Sequence, residues 1–159
     1  MAIYMKYGSI KGPVTTQGYK DWIELSSFQW GAGRAIGSAQ RTASGREASE
    51  PSLSEITVTK QMDISSPKFF SESVASELNN KVSIEFTTTT KNDVERFLKY
   101  ELEDVGLSGY SVSAGSEGIP TESLTLNYTK ITETFTGMDP ATKGTPETVG
   151  YDLTQMKTT

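Results

Sequence analysis

The chain has 159 residues, a net charge of −5, 35% hydrophobic residues and neither cysteine nor histidine. A chain of this size suits one domain, residues 1–159, that buries roughly two thirds of its unfolded surface, and its negative charge argues against a nucleic-acid partner because phosphates are repelled on average. Without Cys or His there are no disulfides, no thiolate metal sites and neither the commonest general base nor the commonest metal ligand, so no enzyme, cofactor or metal is expected.

The start, "MAIYMKYGSIKG", has neither a basic region leading into an apolar one nor a run able to span a bilayer, so neither a signal peptide nor membrane insertion is expected. "IYMKY" and "YKDWIELSSFQWG" alternate as strands, with Trp22, Phe28 and Trp30 on the core face and Ser27 and Gln29 on the polar one.

Gly31, Gly33 and Gly37 then nearly spell a dinucleotide-binding loop. That fingerprint needs glycines at positions one, three and six, opening a helix within a βαβ unit. Here the third glycine is one residue late, and Ser, Thr and Pro51 follow instead of a helix. The stretch is predicted as a long loop, about residues 32–52, in which Arg34, Arg41 and Arg46 stand beside Glu47 and Glu50. With both signs of charge and enough length to reach a neighbour, these five are the expected contacts with another copy of the chain.

"LSEITVTKQMD" puts Leu53, Ile56, Val58 and Met62 in a β-branched run that reads as a strand. "SSPKFFSESVASELNN" changes period: Phe69, Phe70, Val74 and Leu78 fall at helical spacing, Ser66 is a natural N-cap and Pro67 suits the first helical position, predicting a short helix over about residues 67–78. Ser65 and Lys68 have the spacing of a serine nucleophile and its base, but the companion motifs are missing and helix capping explains these residues.

"KVSIEFTTTT" sets Val82, Ile84 and Phe86 against Ser83, Glu85 and Thr87 as a strand, whereas "NDVERFLKYELEDVGL" fits helix or strand, with propensity favouring helix. Glu101, Glu103 and Asp104 could pair as acids or hold a hard metal; with Lys99 on the face of Glu101 and Glu103, a solvated charged edge is the ordinary reading. A glycine-rich turn follows, and then "SLTLNYTKITETF" alternates as a clear strand, "VGYDL" closes the fold and "TQMKTT" forms a loose tail.

Taken in order, Lys11-Gly12, Phe28-x-Trp30-Gly31, Thr59-Lys60 leading to Ser66-Pro67-Lys68, Leu98-Lys99-Tyr100 and Asn127-Tyr128 resemble the Hcp family, the haemolysin-coregulated proteins of bacterial type VI secretion. The resemblance covers essentially the whole chain. It implies a mainly β fold, a β-barrel-like pair of packed antiparallel sheets with one short helix outside, and it makes "FLKYELEDV" a strand. It further implies a homohexameric ring, with rings stacked into the inner tube of a contractile device. Spike, sheath and baseplate components would be partners and effector proteins the cargo. Such a protein is cytoplasmic before firing and then secreted without a signal peptide.

The chain departs from the family in its Ser-, Arg- and Glu-rich loop and in the turn "TTTTKND". Polar residues opposite the core would line the lumen of such a tube: Ser27 and Gln29, with Ser113 and Ser116 in the glycine-rich turn. The competing expectation is a monomeric β-sandwich module that binds a peptide or glycan.

Overall fold

In a computed structural model that describes residues 1–37, 48–137 and 144–159, alternating apolar and polar residues build two antiparallel sheets that share one strand. The elements in chain order are β1 (Ala2–Tyr7), β2 (Ile23–Leu25), β3 (Ser27–Gln29), β4 (Ala32–Gly33), β5 (Ser52–Leu53), β6 (Ile56–Gln61), α1 (Ser66–Ala75), β7 (Asn80–Thr89), β8 (Val94–Ser113), β9 (Thr121–Asn127), β10 (Lys130–Phe135), β11 (Glu147–Asp152) and β12 (Lys157–Thr158). The first sheet runs β12-β11-β10-β8-β7-β1-β2; the second joins β3, β6, β9 and the far half of β8.

β8 is 20 residues long and turns from one sheet into the other near Asp104, whose φ of 53° lies in the left-handed region that Asp tolerates better than most residues. The Asp104 carboxylate accepts a 2.8 Å hydrogen bond from the Thr129 hydroxyl, tying this bend to the start of β10. Beyond it an extra residue at Ser108 shifts the register with β9, a bulge that increases the local twist.

The inward faces of both sheets meet in one core of Met5, Ile23, Ile56, Val58, Ile84, Leu102, Leu124 and Leu126. An aromatic layer of Phe28, Phe86, Tyr100 and Trp30 extends it, with the Phe28 and Tyr100 rings stacked at 4.9 Å. Trp30 Nε1 donates to the Tyr128 hydroxyl at 2.7 Å, which in turn donates to the Ser54 carbonyl at 2.7 Å, so the buried polar tips are satisfied. A smaller cluster of Tyr4, Val14 and Tyr19 lies where the segment between β1 and β2 folds over the outer face of the first sheet.

Several predicted features change in three dimensions. Trp22 does not share a face with Phe28 and Trp30; it packs edge-on against Tyr19 in the smaller cluster. The chain crosses from the first sheet to the second at Ser26, and this reverses which alternate residues point inward, so Ile23 and Leu25 are the buried residues of β2. The expected polar face of β7 is partly covered as well: Glu85 and Thr87 are buried, and Glu85 takes a 2.6 Å ion pair from Arg96.

Lys60, rather than Met62, completes the buried face of β6. The stretch predicted as one strand from Leu124 into β10 breaks at Tyr128 and Thr129 into β9 and β10, which belong to different sheets. The two described ends of the long loop pair as β4 and β5, with a bridge between Ile36 and Ala48, and the tail adds β12 to the sheet. The ambiguous stretch is β8, and it is no edge, being flanked by β7 and β10. Long-range pairing overrides its local helix propensity.

The helix is present over Ser66–Ala75, three residues short of the expected end at 78. Phe69 is its buried apolar side chain; Phe70 and Val74 are exposed, with the Phe70 ring beside that of Tyr110, and Leu78, past the helix end, lies against Gly106 of β8. Ser65, not Ser66, occupies the N-cap and makes no side-chain cap bond, which moves Pro67 to the second helical position.

Candidate functional site

The outer face of the second sheet carries hydroxyls and amides arranged by strand register. Ser27, Thr59, Ser123 and Ser111 lie side by side across β3, β6, β9 and β8. Gln29, Thr57, Thr125 and Gly109 form the next row, and Gln61, Thr121 and Ser113 a third. The Ser27 and Thr59 hydroxyls touch at 2.5 Å. None of these outward strand positions is charged.

Register therefore brings three of the four expected lumen residues, Ser27, Gln29 and Ser113, onto one surface. Ser116 is exposed in the turn after β8 and stands apart from the rows. The remainder of the face, Thr57, Thr59, Gln61, Gly109, Ser111, Thr121, Ser123 and Thr125, was not singled out from the sequence. Its signal was nonetheless there, because "ITVTKQ" and "SLTLN" alternate with period two, so the residues between the buried ones must face outward.

The charged residues of β6 and β9 point inward instead. Lys60 and Glu122 sit opposite each other in the ladder, both fully buried, with Nζ 2.6 Å from Oε1. Glu122 also accepts from the Ser66 hydroxyl at 2.7 Å and from the Tyr110 hydroxyl at 2.5 Å. Lys60 additionally reaches the Gln61 carbonyl at 3.0 Å and the Asp63 carboxylate at 3.2 Å.

This network fastens the start of α1 to the second sheet: the Ser66 hydroxyl accepts from the Asp63 N–H at 2.9 Å while donating to Glu122. The serine beside a lysine is thus Ser66 with Lys60, not Ser65 with Lys68. Its proton is directed at a carboxylate and its oxygen is buried, an arrangement that anchors a helix and offers no exposed nucleophile. Of the acidic trio, Glu101 pairs with Lys99 at 2.6 Å and Asp104 is held by Thr129; among the described residues no group of acids is placed to hold a metal.

Five tyrosine hydroxyls are held protonated beyond their ordinary range. Burial is the largest cause in each; the carboxylates of Glu72, Glu85 and Glu133 add to it at Tyr7, Tyr19 and Tyr100, and the bond to Glu122 helps push Tyr110 up to about 12. A raised folded-state value means that the unfolded chain loses these protons first. The associated stability is therefore complete below the unfolded value of 10.0 and declines as pH rises above it. Urea melts from pH 8 to 12 should show the midpoint falling only above about pH 10, with tyrosinate absorbance appearing together with unfolding.

Of the five expected contact residues, Arg34 and Glu50 are exposed near the base of the loop, while Arg41, Arg46 and Glu47 lie outside the described residues. Beside that base is a cleft of about 430 Å³, bounded by Trp30, Leu53, Ile131 and Tyr151 with Arg34 among its walls.

The two sheets and the uncharged outward positions of the second define a β-sandwich that presents a broad polar surface. The model of the family described as "Type VI secretion system effector, Hcp" matches residues 4–135, and the chain belongs to that family. Similar solved structures include one described as a type six secretion system protein, 28% identical, with 99% of each chain covered and a TM-score of 0.89. Hcp1 from Salmonella typhimurium is 20% identical over 99% of this chain and 98% of its own, with a TM-score of 0.77. A type VI secretion system effector from Yersinia pestis is 17% identical over 94% and 98%, with a TM-score of 0.73. No curated protein sequence matches the chain.

Proposed function

We propose that six copies close into a ring, that rings stack into the inner tube of a type VI secretion system, and that the outer face of the second sheet lines the lumen. The observation that carries this reading is the register of that sheet: hydroxyls and amides fill its outward positions while Lys60 and Glu122 are turned into the core. A wide surface without charge holds a passing effector protein weakly enough to release it, since neither strong ion pairs nor large apolar contacts form. The chain is expelled when the sheath contracts, and it acts as carrier and conduit without chemistry of its own.

Six copies at −5 carry −30, so stacked rings repel unless opposite charges meet at their faces. Arg41, Arg46, Glu47 and Glu50 supply both signs for that contact, while Arg34 serves as a subunit contact.

Native mass and negative-stain images test the reading together. The expected result is a ring of six times 17.3 kDa with a central hole, and tubes that shorten when residues 38–48 are removed. Ser123→Trp, on the lining, should leave the ring mass unchanged and block cargo export. A species of 17.3 kDa would instead support the monomeric binding module.

A further inference from the structure

Two exposed surfaces with apolar side chains lie outside the lining of the second sheet, one on α1 and one where the edge of the core opens along β10 and β11. The first is the outer stripe of α1, where Pro67, Phe70 and Val74 repeat at helical spacing, the Phe70 ring leaning on Tyr110 along one edge at 6.1 Å between centroids. Phe70 is 58% and Val74 72% exposed. Scattered apolar residues on a surface need no partner, but a contiguous row of this kind marks an interaction site.

The second surface is a trough along β10 and β11, made of two concavities of about 430 and 350 Å³ that share Glu133 and Val149. It runs from Tyr151 and Leu53 at one end to Phe135 at the other, and strand register puts Ile131, Glu133 and Phe135 opposite Tyr151, Val149 and Glu147. Val149 is 61% and Phe135 49% exposed.

Length and charge make the two surfaces complementary. The ten residues of α1 span about 15 Å, and β10 from Ile131 to Phe135 spans about 13 Å. Lys68 stands at the start of the stripe and Glu77 at its end, while Glu147 lies beside Phe135 and Arg34 at the opposite end of the trough. A helix laid with its N-terminus at Phe135 brings Lys68 to Glu147 and Glu77 to Arg34; the reverse orientation sets like charges against each other. Among the described residues none of these four groups is ion-paired within the chain.

We propose that the outer stripe of α1 in one copy seats in the β10–β11 trough of the next, and that this contact closes the ring. It rests on the ring reading given above. Two different patches on one chain make a heterologous contact, the kind that generates a closed ring when its rotation allows.

The test is native mass measured over a dilution series. Val74→Glu and Val149→Glu, both at exposed positions, should each raise the dissociation constant between copies at least about 100-fold while the monomers keep the wild-type circular dichroism. Lys68→Glu and Glu147→Lys should each weaken assembly about 10-fold, and combining them should restore it to within about 3-fold of wild type. A wild-type ring that survives both glutamate substitutions overturns this contact and leaves the ring reading standing, as does a charge-swapped double variant no tighter than the single ones. A wild-type chain that stays at 17.3 kDa overturns the ring reading and this contact with it.

Discussion

Lys60→Ala is expected to lower folding stability by about 3–5 kcal/mol, because removing one partner of a fully buried ion pair leaves the other charge without compensation. Lys60 and Glu122 are both shielded from solvent, 2.6 Å apart, and Glu122 keeps only neutral donors, Ser66 and Tyr110, once the ammonium is gone. The ammonium also lies 5.9 Å from the centre of the Phe69 ring, so its loss removes a cation–π contact at the same point. Replacing both partners at once, as Lys60→Met with Glu122→Leu, should cost far less than either single change, since neither charge is then left buried alone. Urea denaturation at one fixed protomer concentration measures all three, the fixed concentration being needed because self-association adds to apparent stability. A loss under about 1 kcal/mol for Lys60→Ala would show that the pair contributes little beyond filling space.

Phe69→Ala should cost about 3–5 kcal/mol through the cavity it leaves. Phe69 is fully buried, packs edge-on against Tyr7 at 5.3 Å, and is the apolar side chain by which α1 enters the core. Other ties of the helix are the Phe70 ring beside Tyr110 at 6.1 Å and polar contacts: Glu72 accepts from Tyr7 at 3.4 Å and from Ser76 at 2.8 Å, and Ser66 donates to Glu122. Limited proteolysis of Phe69→Ala should therefore cut first within α1 while the sheets stay intact. Because the outer stripe of the same helix is assigned to the next copy, assembly should weaken in parallel. Cleavage spread evenly over the strands would show that Phe69 supports the whole sandwich rather than the helix alone.

These two sites were legible in the sequence to different degrees, and the reason is geometric. Alternation along β1, β6, β7 and β9 pointed to strands, and the change of period after Ser66 pointed to a helix, because each depends only on spacings within one segment. Which residues face inward was less legible. Lys60 continues the buried series Ile56 and Val58, but a lysine there reads as a break in the pattern until Glu122 is known to lie opposite it. Phe69, Phe70, Val74 and Leu78 share helical spacing, and spacing alone does not show that only Phe69 of the four is buried.

The lining was half legible for the same reason. Ser27 and Gln29 follow from alternation within β3, yet their rows include Thr57, Thr59, Ser111 and Ser123, which lie between 28 (Gln29 to Thr57) and 96 (Ser27 to Ser123) residues along the chain from the β3 member of their row and become neighbours only through pairing. The charged edge expected at Glu101 and Glu103 had the opposite fate: local charge was read correctly, but long-range pairing placed β8 in the middle of the sheet.

By itself the sequence determined the β character, the presence of one helix, the lack of Cys and His chemistry, and, through its ordered motifs, the Hcp family. These depend on residue types and on short spacings, which physics interprets one segment at a time. Only the tertiary structure decided that β8 bends from one sheet into the other, that Lys60 and Glu122 meet in the core, and that hydroxyls from four strands form one uncharged face. Those outcomes depend on which distant strands pair and in what register, and a register is chosen by the fit of the whole sandwich rather than by any one stretch.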